Sequence, residues 1–304
     1  MVNRMHGYAS IVLNRLVADW LELILWKLIG KNVTPPIMIL GAPRSGTTMV
    51  YAALSALTDC GYFTNSMASV WGAPLLGAVL RRKRCPREAL KAASSSSDYG
   101  STSGSLGPSE GGDWISRFFA PLTEPNSSGP PPTGRDVDRF LISATLIQMV
   151  VKRPLLIKNL HLVNRLTEIA DAGERLLIIH VTRDLDANIQ SLLRGRRERG
   201  AGVNAWFSVW PLTAGGVSEL GPESQVERQI QKINEQIISA GKSPNVTVVR
   251  IAYERFCSDP LAEMPSVDAL RSFGINLRGD AVAIAAELGL RSNGGESACE
   301  LGEI

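Results

Sequence analysis

The sequence predicts an α/β fold in which a central parallel sheet is flanked by helices and preceded by an amphipathic N-terminal helix. Three observations lead there. Short apolar runs with the length of buried parallel strands recur along the chain, stretches with helical periodicity alternate with them, and one apolar run leads straight into a glycine loop and a helix. Strands alternating with helices bury both faces of one sheet. The chain has 304 residues, 44% hydrophobic and 20% charged, which is enough to build a core as a single α/β domain.

Taken in order, residues 11–29 form the first apolar stretch, but Arg15, Asp19, Glu22 and Lys27 interrupt it, so it is a poor membrane span. Leu13, Leu16, Val17, Trp20, Ile24 and Leu28 share one face at helical spacing. A helix over residues 1–30 therefore packs on the core or on a second copy of the chain, as in a homodimer, or lies peripherally on a membrane surface. A strand follows at Ile37 to Leu40, then a helix from about Thr48. Residues 92–112 hold Ser94 to Ser97 in a Gly/Ser-rich run and residues 126–134 hold Pro130 to Pro132, so a mobile insertion is expected over about 92–135. Inside it, Trp114 to Phe119 reads as an aromatic helix. Loops of that length in a compact domain are usually functional or mobile.

Beyond the insertion, Leu155 to Ile157, Leu176 to Val181 and Val246 to Ile251 are expected strands. Leu160 to Ala172, Ala187 to Arg199 and Glu223 to Ala240 are expected helices, the last with a stripe of Val226, Ile230, Ile233 and Ile237. The domain should span residues 31–285, leaving a loosely ordered tail over 286–304.

Charge and cysteine usage narrow the function classes. A net charge of +3 and a pI near 8.7 are too weakly basic to point to nucleic acid. The basic run Arg194, Arg196, Arg197 and Arg199 reads as a solvated helix end, with reinforcement of an anion site as the alternative. Cys60, Cys85, Cys257 and Cys299 show no Cys-x-x-Cys spacing, which argues against a disulfide framework or structural zinc and fits a reducing, cytoplasmic location. No secretory signal is evident, so the sequons at Asn126 and Asn245 carry little weight.

The chemistry begins at Gly41-Ala-Pro-Arg-Ser-Gly46-Thr-Thr48. Strand, glycine loop and helix occur in the order of a phosphate-binding loop, which makes the expected sheet one of P-loop type. The residue after Gly46 is Thr47, where a nucleotide hydrolase has lysine to reach the β- and γ-phosphates. Glycines let backbone N–H groups approach an anion, the following helix adds its positive end, Arg44 adds a forked cation, and Ser45, Thr47 and Thr48 add hydroxyls. A second feature lies at the end of the expected strand Leu176 to Val181. Arg183 sits where open α/β sheets bind ligands, and Ser191 follows about two helical turns on. One Arg and one Ser there could clamp a second phosphate.

Together these residues resemble the PAPS-dependent sulfotransferases, which use 3′-phosphoadenosine 5′-phosphosulfate. In that family a Pro-(Lys/Arg)-Ser-Gly-Thr-Thr loop holds the 5′-phosphosulfate, and an Arg with a Ser eight residues later holds the 3′-phosphate. The matching residues are Pro43-Arg44-Ser45-Gly46-Thr47-Thr48, in the Arg-containing version seen in tyrosylprotein and many bacterial sulfotransferases, and Arg183 with Ser191. A softer similarity is Val248-Val-Arg-Ile-Ala-Tyr253-Glu254 with Asp259-Pro260, so the resemblance runs from about Pro36 to Phe273. There are departures. Arg183 is followed by Asp184-Leu185 instead of Asp-Pro or Asn-Pro, the Arg-Lys-Gly segment of cytosolic members is absent, and Arg278-Gly279 is no convincing substitute.

The resemblance implies transfer of the sulfuryl group of PAPS to a hydroxyl or amine of a small-molecule or glycan acceptor, without metal. It implies that Arg44 stabilises the leaving phosphate, aided by Gly46, Thr47 and Thr48. Lys158, at the end of an expected strand, stands where the family often has a catalytic lysine. Two general bases remain open. In cytosolic members a Lys-x-His pattern supplies histidine, but here Lys158-Asn-Leu-His161 places it one residue late, an offset that would rotate it away. Glu110, after the Ser/Gly loop, fits the glutamate base common in Arg-type members; a cap or solvated loop charge is its bland reading. Trp206, Phe207 and Trp210 either line an acceptor pocket or belong to the core. The competing functions are a small-molecule kinase of the P-loop kind and a noncatalytic nucleotide-binding protein.

Overall fold

The structure is a computed structural model that describes residues 33–80, 102, 104–122, 132–198, 202, 206–211, 219–264 and 267–287. The expected N-terminal helix, much of the insertion and the tail from residue 288 lie outside the described residues.

The chain runs β1 (Ile37–Gly41), α1 (Thr47–Leu57), β2 (Gly61–Tyr62), α2 (Asn65–Ser69), α3 (Pro74–Leu80), α4 (Gly112–Ser116) and α5 (Gly134–Val151). Then come β3 (Leu155–Lys158), a 3-10 turn (Leu160–Arg165), α6 (Leu166–Asp171), β4 (Leu176–Thr182), α7 (Leu185–Glu198), α8 (Pro222–Ala240), β5 (Val246–Ala252), α9 (Tyr253–Ser258), α10 (Val267–Arg271) and α11 (Ala281–Glu287). The five strands form one sheet in the order β2-β3-β1-β4-β5, and every pairing is parallel. The α/β architecture expected from the sequence, a parallel sheet flanked by helices, is thus present, with the glycine loop following the central strand.

Register fixes the site. Ile39 pairs with Lys158 on one side of β1, and Gly41 pairs with Val181 on the other. The loop after β1 therefore opens at the carboxyl edge, where the neighbours diverge to β3 and β4; such a switch point is where open α/β sheets leave a crevice. The two-residue period of β1 supplies both faces. Ile37 and Ile39 join the core under α1, α9 and α11, while Met38 and Leu40 join the core of Trp114, Phe140, Ile147, Ile233 and Ile237.

Three expectations change. Leu160 to Ala172 is not one helix: the Asn159 carboxamide accepts the His161 N–H at 3.0 Å and starts a 3-10 turn before α6. The helix α5 was not expected, although Val137, Phe140, Leu141, Ala144 and Ile147 recur at helical spacing and Thr133 with Asp136 forms a capping box. Cys60 is free and buried, whereas Cys257 is disulfide-bonded, a bridge that the cysteine spacing did not indicate. No helix among the described residues is long and apolar enough to cross a membrane.

Candidate active site

After Gly41 the chain folds over the sheet edge, with the Ser45 N–H donating to the Ala42 carbonyl at 3.2 Å. Arg44 and Gly46 both take left-handed backbone, φ 65 and 90. Two glycines are required here. A Cβ at Gly41 would lie 2.3 Å from the Val181 carbonyl oxygen, and one at Gly46 would lie 2.0 Å from the Tyr253 ring. No side chain caps α1, so its first-turn N–H groups and positive end face the loop. The Ser45 residue is 1% exposed and its hydroxyl has no hydrogen-bond partner. A buried hydroxyl left over beside a donor-lined loop fits a phosphate or sulfate group.

The second cluster leans on the first. Arg183, one residue past β4, donates from Nη1 to the Arg44 carbonyl at 3.1 Å. Arg44 donates from Nε to the Ser191 hydroxyl at 3.2 Å, and Asn188 Nδ2 donates to the Pro43 carbonyl at 2.8 Å. The α7 helix is thus stitched to the loop by two residues one turn apart. Burial lowers the Arg44 pKa from its ordinary value, the Arg183 charge lowers it further, and Glu198 opposes both. The two guanidinium charges repel, and an anion bound beside them would relieve the repulsion. The Asp184 side chain accepts the Ala187 N–H at 3.0 Å, which makes it the cap of α7.

Across β1 lies a different set. Lys158 ends β3 with only 5% of its side chain exposed, and its ammonium is hydrogen-bonded to the Glu110 carboxylate. Asn159 holds the same loop, donating to the Glu110 carbonyl at 3.2 Å. His161 lies in the first turn of the 3-10 segment that Asn159 caps. The charges of Glu110 and Lys158 both act on its imidazole. Burial is the largest effect on this imidazole and lowers its pKa; Glu110 opposes that and Lys158 adds to it. Its Nδ1 is buried without a partner. The structure therefore joins Glu110 to Lys158, with His161 within the reach of both charges, while Arg44, Ser45, Gly46, Thr47, Thr48, Arg183 and Ser191 gather on the other side.

A profile of the sulfotransferase family matches residues 35–270. The chain belongs to the sulfotransferase family. Among solved structures, sulfotransferase STF9 from Mycobacterium avium has a TM-score of 0.52 at 13% identity, covering 89% of this chain and 77% of that one. Sulfotransferase STF1 from Mycobacterium tuberculosis H37Rv covers 99% of this chain and 82% of its own at 14% identity and a TM-score of 0.44. The sulfotransferase domain of the Synechococcus PCC 7002 olefin synthase covers 88% and 80% at 16% identity and 0.43. No curated protein matches.

Several residues of this sulfotransferase's site escaped the sequence reading. Tyr51, on α1, has its hydroxyl buried among the Phe63, Ser109 and Leu156 carbonyls at 3.1 to 3.4 Å and accepts the Phe63 N–H at 3.0 Å. Burial raises its pKa well above the ordinary value, so it stays protonated. Ser109 N–H donates to the Phe63 carbonyl, Tyr62 OH to the Leu106 carbonyl, and Trp114 stacks on Phe63 at 4.8 Å while donating to Ser143. These bonds carry Glu110 to the end of β3. Asn188 had one available signal, a polar residue on the buried face of α7 a turn before Ser191.

The remaining expectations divide. Arg196 is 1% exposed, donates to Gln225 at 2.9 Å and lies under the Trp206 ring at 5.2 Å, so the basic run is not simply a solvated helix end. Arg199 lies outside the described residues. Trp206 and Trp210 pack at 4.3 Å, and Trp210 is buried against Leu122. Arg278 N–H donates to the Leu57 carbonyl, at the far end of α1 from the loop, which places Arg278 about 15 Å along the helix from it. Among the described residues no group of three or more His, Cys, Asp or Glu side chains could hold a metal ion.

Proposed function

We propose that this sulfotransferase moves the sulfuryl group of PAPS to a hydroxyl or amine of a small-molecule or glycan acceptor by in-line displacement, releasing 3′-phosphoadenosine 5′-phosphate. One observation carries the reading: Arg183 bonds the Arg44 carbonyl and the Arg44 guanidinium bonds Ser191, so both cations are held on the loop that buries the unpartnered Ser45 hydroxyl. Gly46, Thr47 and Thr48 complete the cradle for one anionic group, and Arg183 with Ser191 holds a second. When bound, PAPS supplies an electrophilic sulfur and a phosphate leaving group.

The chain's own residues position and move charge. Lys158 fixes the Glu110 carboxylate through their ion pair, and Glu110 takes the proton of the acceptor hydroxyl. Arg44 neutralises charge that develops on the departing phosphate. His161, neutral at pH 7 because burial lowers its pKa, stands beside Glu110 as the alternative base.

Calorimetric titration in EDTA with 3′-phosphoadenosine 5′-phosphate and, separately, ATP tests the assignment. Metal-free binding selective for the bisphosphate is expected. Losing one pair of charge-assisted hydrogen bonds in Arg183→Ala should weaken it by about 10- to 100-fold. Equal binding of ATP, or no effect of the substitution, would reject the reading and favour a metal-dependent small-molecule kinase.

A further inference from the structure

The two sides of the anion cluster share a support from β5. Tyr253 and Glu254 open α9 directly after β5, and each touches Arg183 from a different direction. The guanidinium of Arg183 lies over the Tyr253 ring at 5.1 Å, and its Nε is 4.0 Å from a Glu254 carboxylate oxygen. That oxygen also accepts the Asp184 N–H at 3.0 Å, which pins the carboxylate to the residue following Arg183. The Tyr253 ring meanwhile fills the space where a Cβ of Gly46 would sit. One dipeptide therefore bears on the loop that cradles the first anion and on the cation that faces the second.

Position matters because of what else acts on Arg183. Its Nη1 is already committed to the Arg44 carbonyl, next to a second guanidinium that repels it. With 15% of its side chain exposed, Arg183 has a route outward to water. An aromatic face beneath the guanidinium and a carboxylate at its edge oppose that movement. The Glu254 side chain is 52% exposed and reaches no other part of the cluster through a direct bond to Arg44 or Ser191. Its action on a ligand must pass through Arg183.

We propose that Tyr253 and Glu254 are positioning residues that hold Arg183 in register with the glycine loop, and so set the selectivity for a nucleotide carrying a 3′-phosphate over one that lacks it. This rests on the assignment of Arg183 to the second phosphate. The selectivity is a matter of spacing: Tyr253 sets the distance from Arg183 to the Gly46 loop, and Glu254 sets the direction of the guanidinium fork.

The experiment compares dissociation constants of 3′-phosphoadenosine 5′-phosphate and adenosine 5′-monophosphate for the full-length wild type, Glu254→Gln and Tyr253→Leu. Glu254→Gln keeps the shape and the acceptor for Asp184, so it tests the charge with the fold intact. A half-exposed pair of this kind predicts a fall in the bisphosphate-to-monophosphate preference of about three- to fivefold. Monophosphate affinity should change less than twofold. Tyr253→Leu should lower the same preference, and its thermal midpoint tells lost packing from lost selectivity. If the wild type prefers the bisphosphate and Glu254→Gln keeps or increases that preference, Glu254 merely neutralises charge and the inference falls while the assignment of Arg183 stands. If the wild type shows no preference, that assignment falls and the inference with it.

Discussion

The two halves of the site flank β1 and are built on opposite plans. On the β4 side, Arg44, Arg183 and Ser191 join backbone to side chain over short bonds, and like charges crowd together. On the β3 side, one buried lysine is matched by one carboxylate, and a neutral histidine stands beside them. The first half carries excess positive charge that an anionic ligand must complete; the second is balanced as it stands. A transfer enzyme needs both properties. In the proposed reaction the anion side binds and stabilises a leaving group, while the balanced side places a carboxylate near the acceptor proton.

The largest effect that could break this division is expected from Glu110→Gln. Replacing a general base should lower kcat by about 10²- to 10⁴-fold. Affinity for 3′-phosphoadenosine 5′-phosphate should stay within about twofold, because Glu110 bonds Lys158 and Asn159 on the far side of β1 from the anion half. Stopped assays at saturating donor and calorimetry on the same preparation read the two quantities. Normal turnover would transfer the base role to His161.

Arg44→Ala comes next, and it sharpens the boundary. Its guanidinium is bonded to Ser191, so the substitution should weaken bisphosphate binding, yet the proposed role at the leaving phosphate also requires a drop in kcat. Loss of one such donor corresponds to roughly 10²-fold. If kcat at saturating donor stays within a few-fold of wild type, Arg44 serves binding alone and the leaving group is stabilised by the loop.

The same division explains what was legible in the sequence. The anion half is nearly contiguous: residues 41–48 form one loop, and Arg183 and Ser191 lie at a strand end and two turns into the next helix, so spacing alone places them. The proton half is not. Glu110 reaches Lys158 through Phe63, Tyr51 and Trp114, contacts separated by up to 105 residues, and through β2, a strand of two residues that no periodicity can reveal. Spacing alone could not place His161, because the Asn159 cap starts a 3-10 turn directly after Lys158. Likewise α5 begins directly after a proline-rich stretch, and the loop signal masked its helical stripe. Arg196 shows a further limit: charge runs are usually solvated, and only the packed Trp206 and Gln225 show that this one is not.

The smallest effect concerns which influence governs the imidazole in the proton half. Burial lowers the pKa of His161 and also that of His180, whose ring nitrogen meets Asn234 at 2.9 Å. As pH falls through about 6.5, the unfolded chain takes up protons at these two residues that the folded chain refuses, so the folded state loses stability below that pH and down to the lowered folded values. The slope is at most about 1.4 kcal/mol per pH unit for each histidine. Urea midpoints of wild type and His161→Gln at pH 7.5, 6.5 and 5.5 measure the His161 share, and the variant should lose less stability on acidification. A steeper loss in the variant would mean that the Glu110 charge outweighs burial and keeps His161 protonated. That outcome would turn the balanced half into a second cationic one, and His161 would then act as a charge at the acceptor side and could not serve as the alternative base.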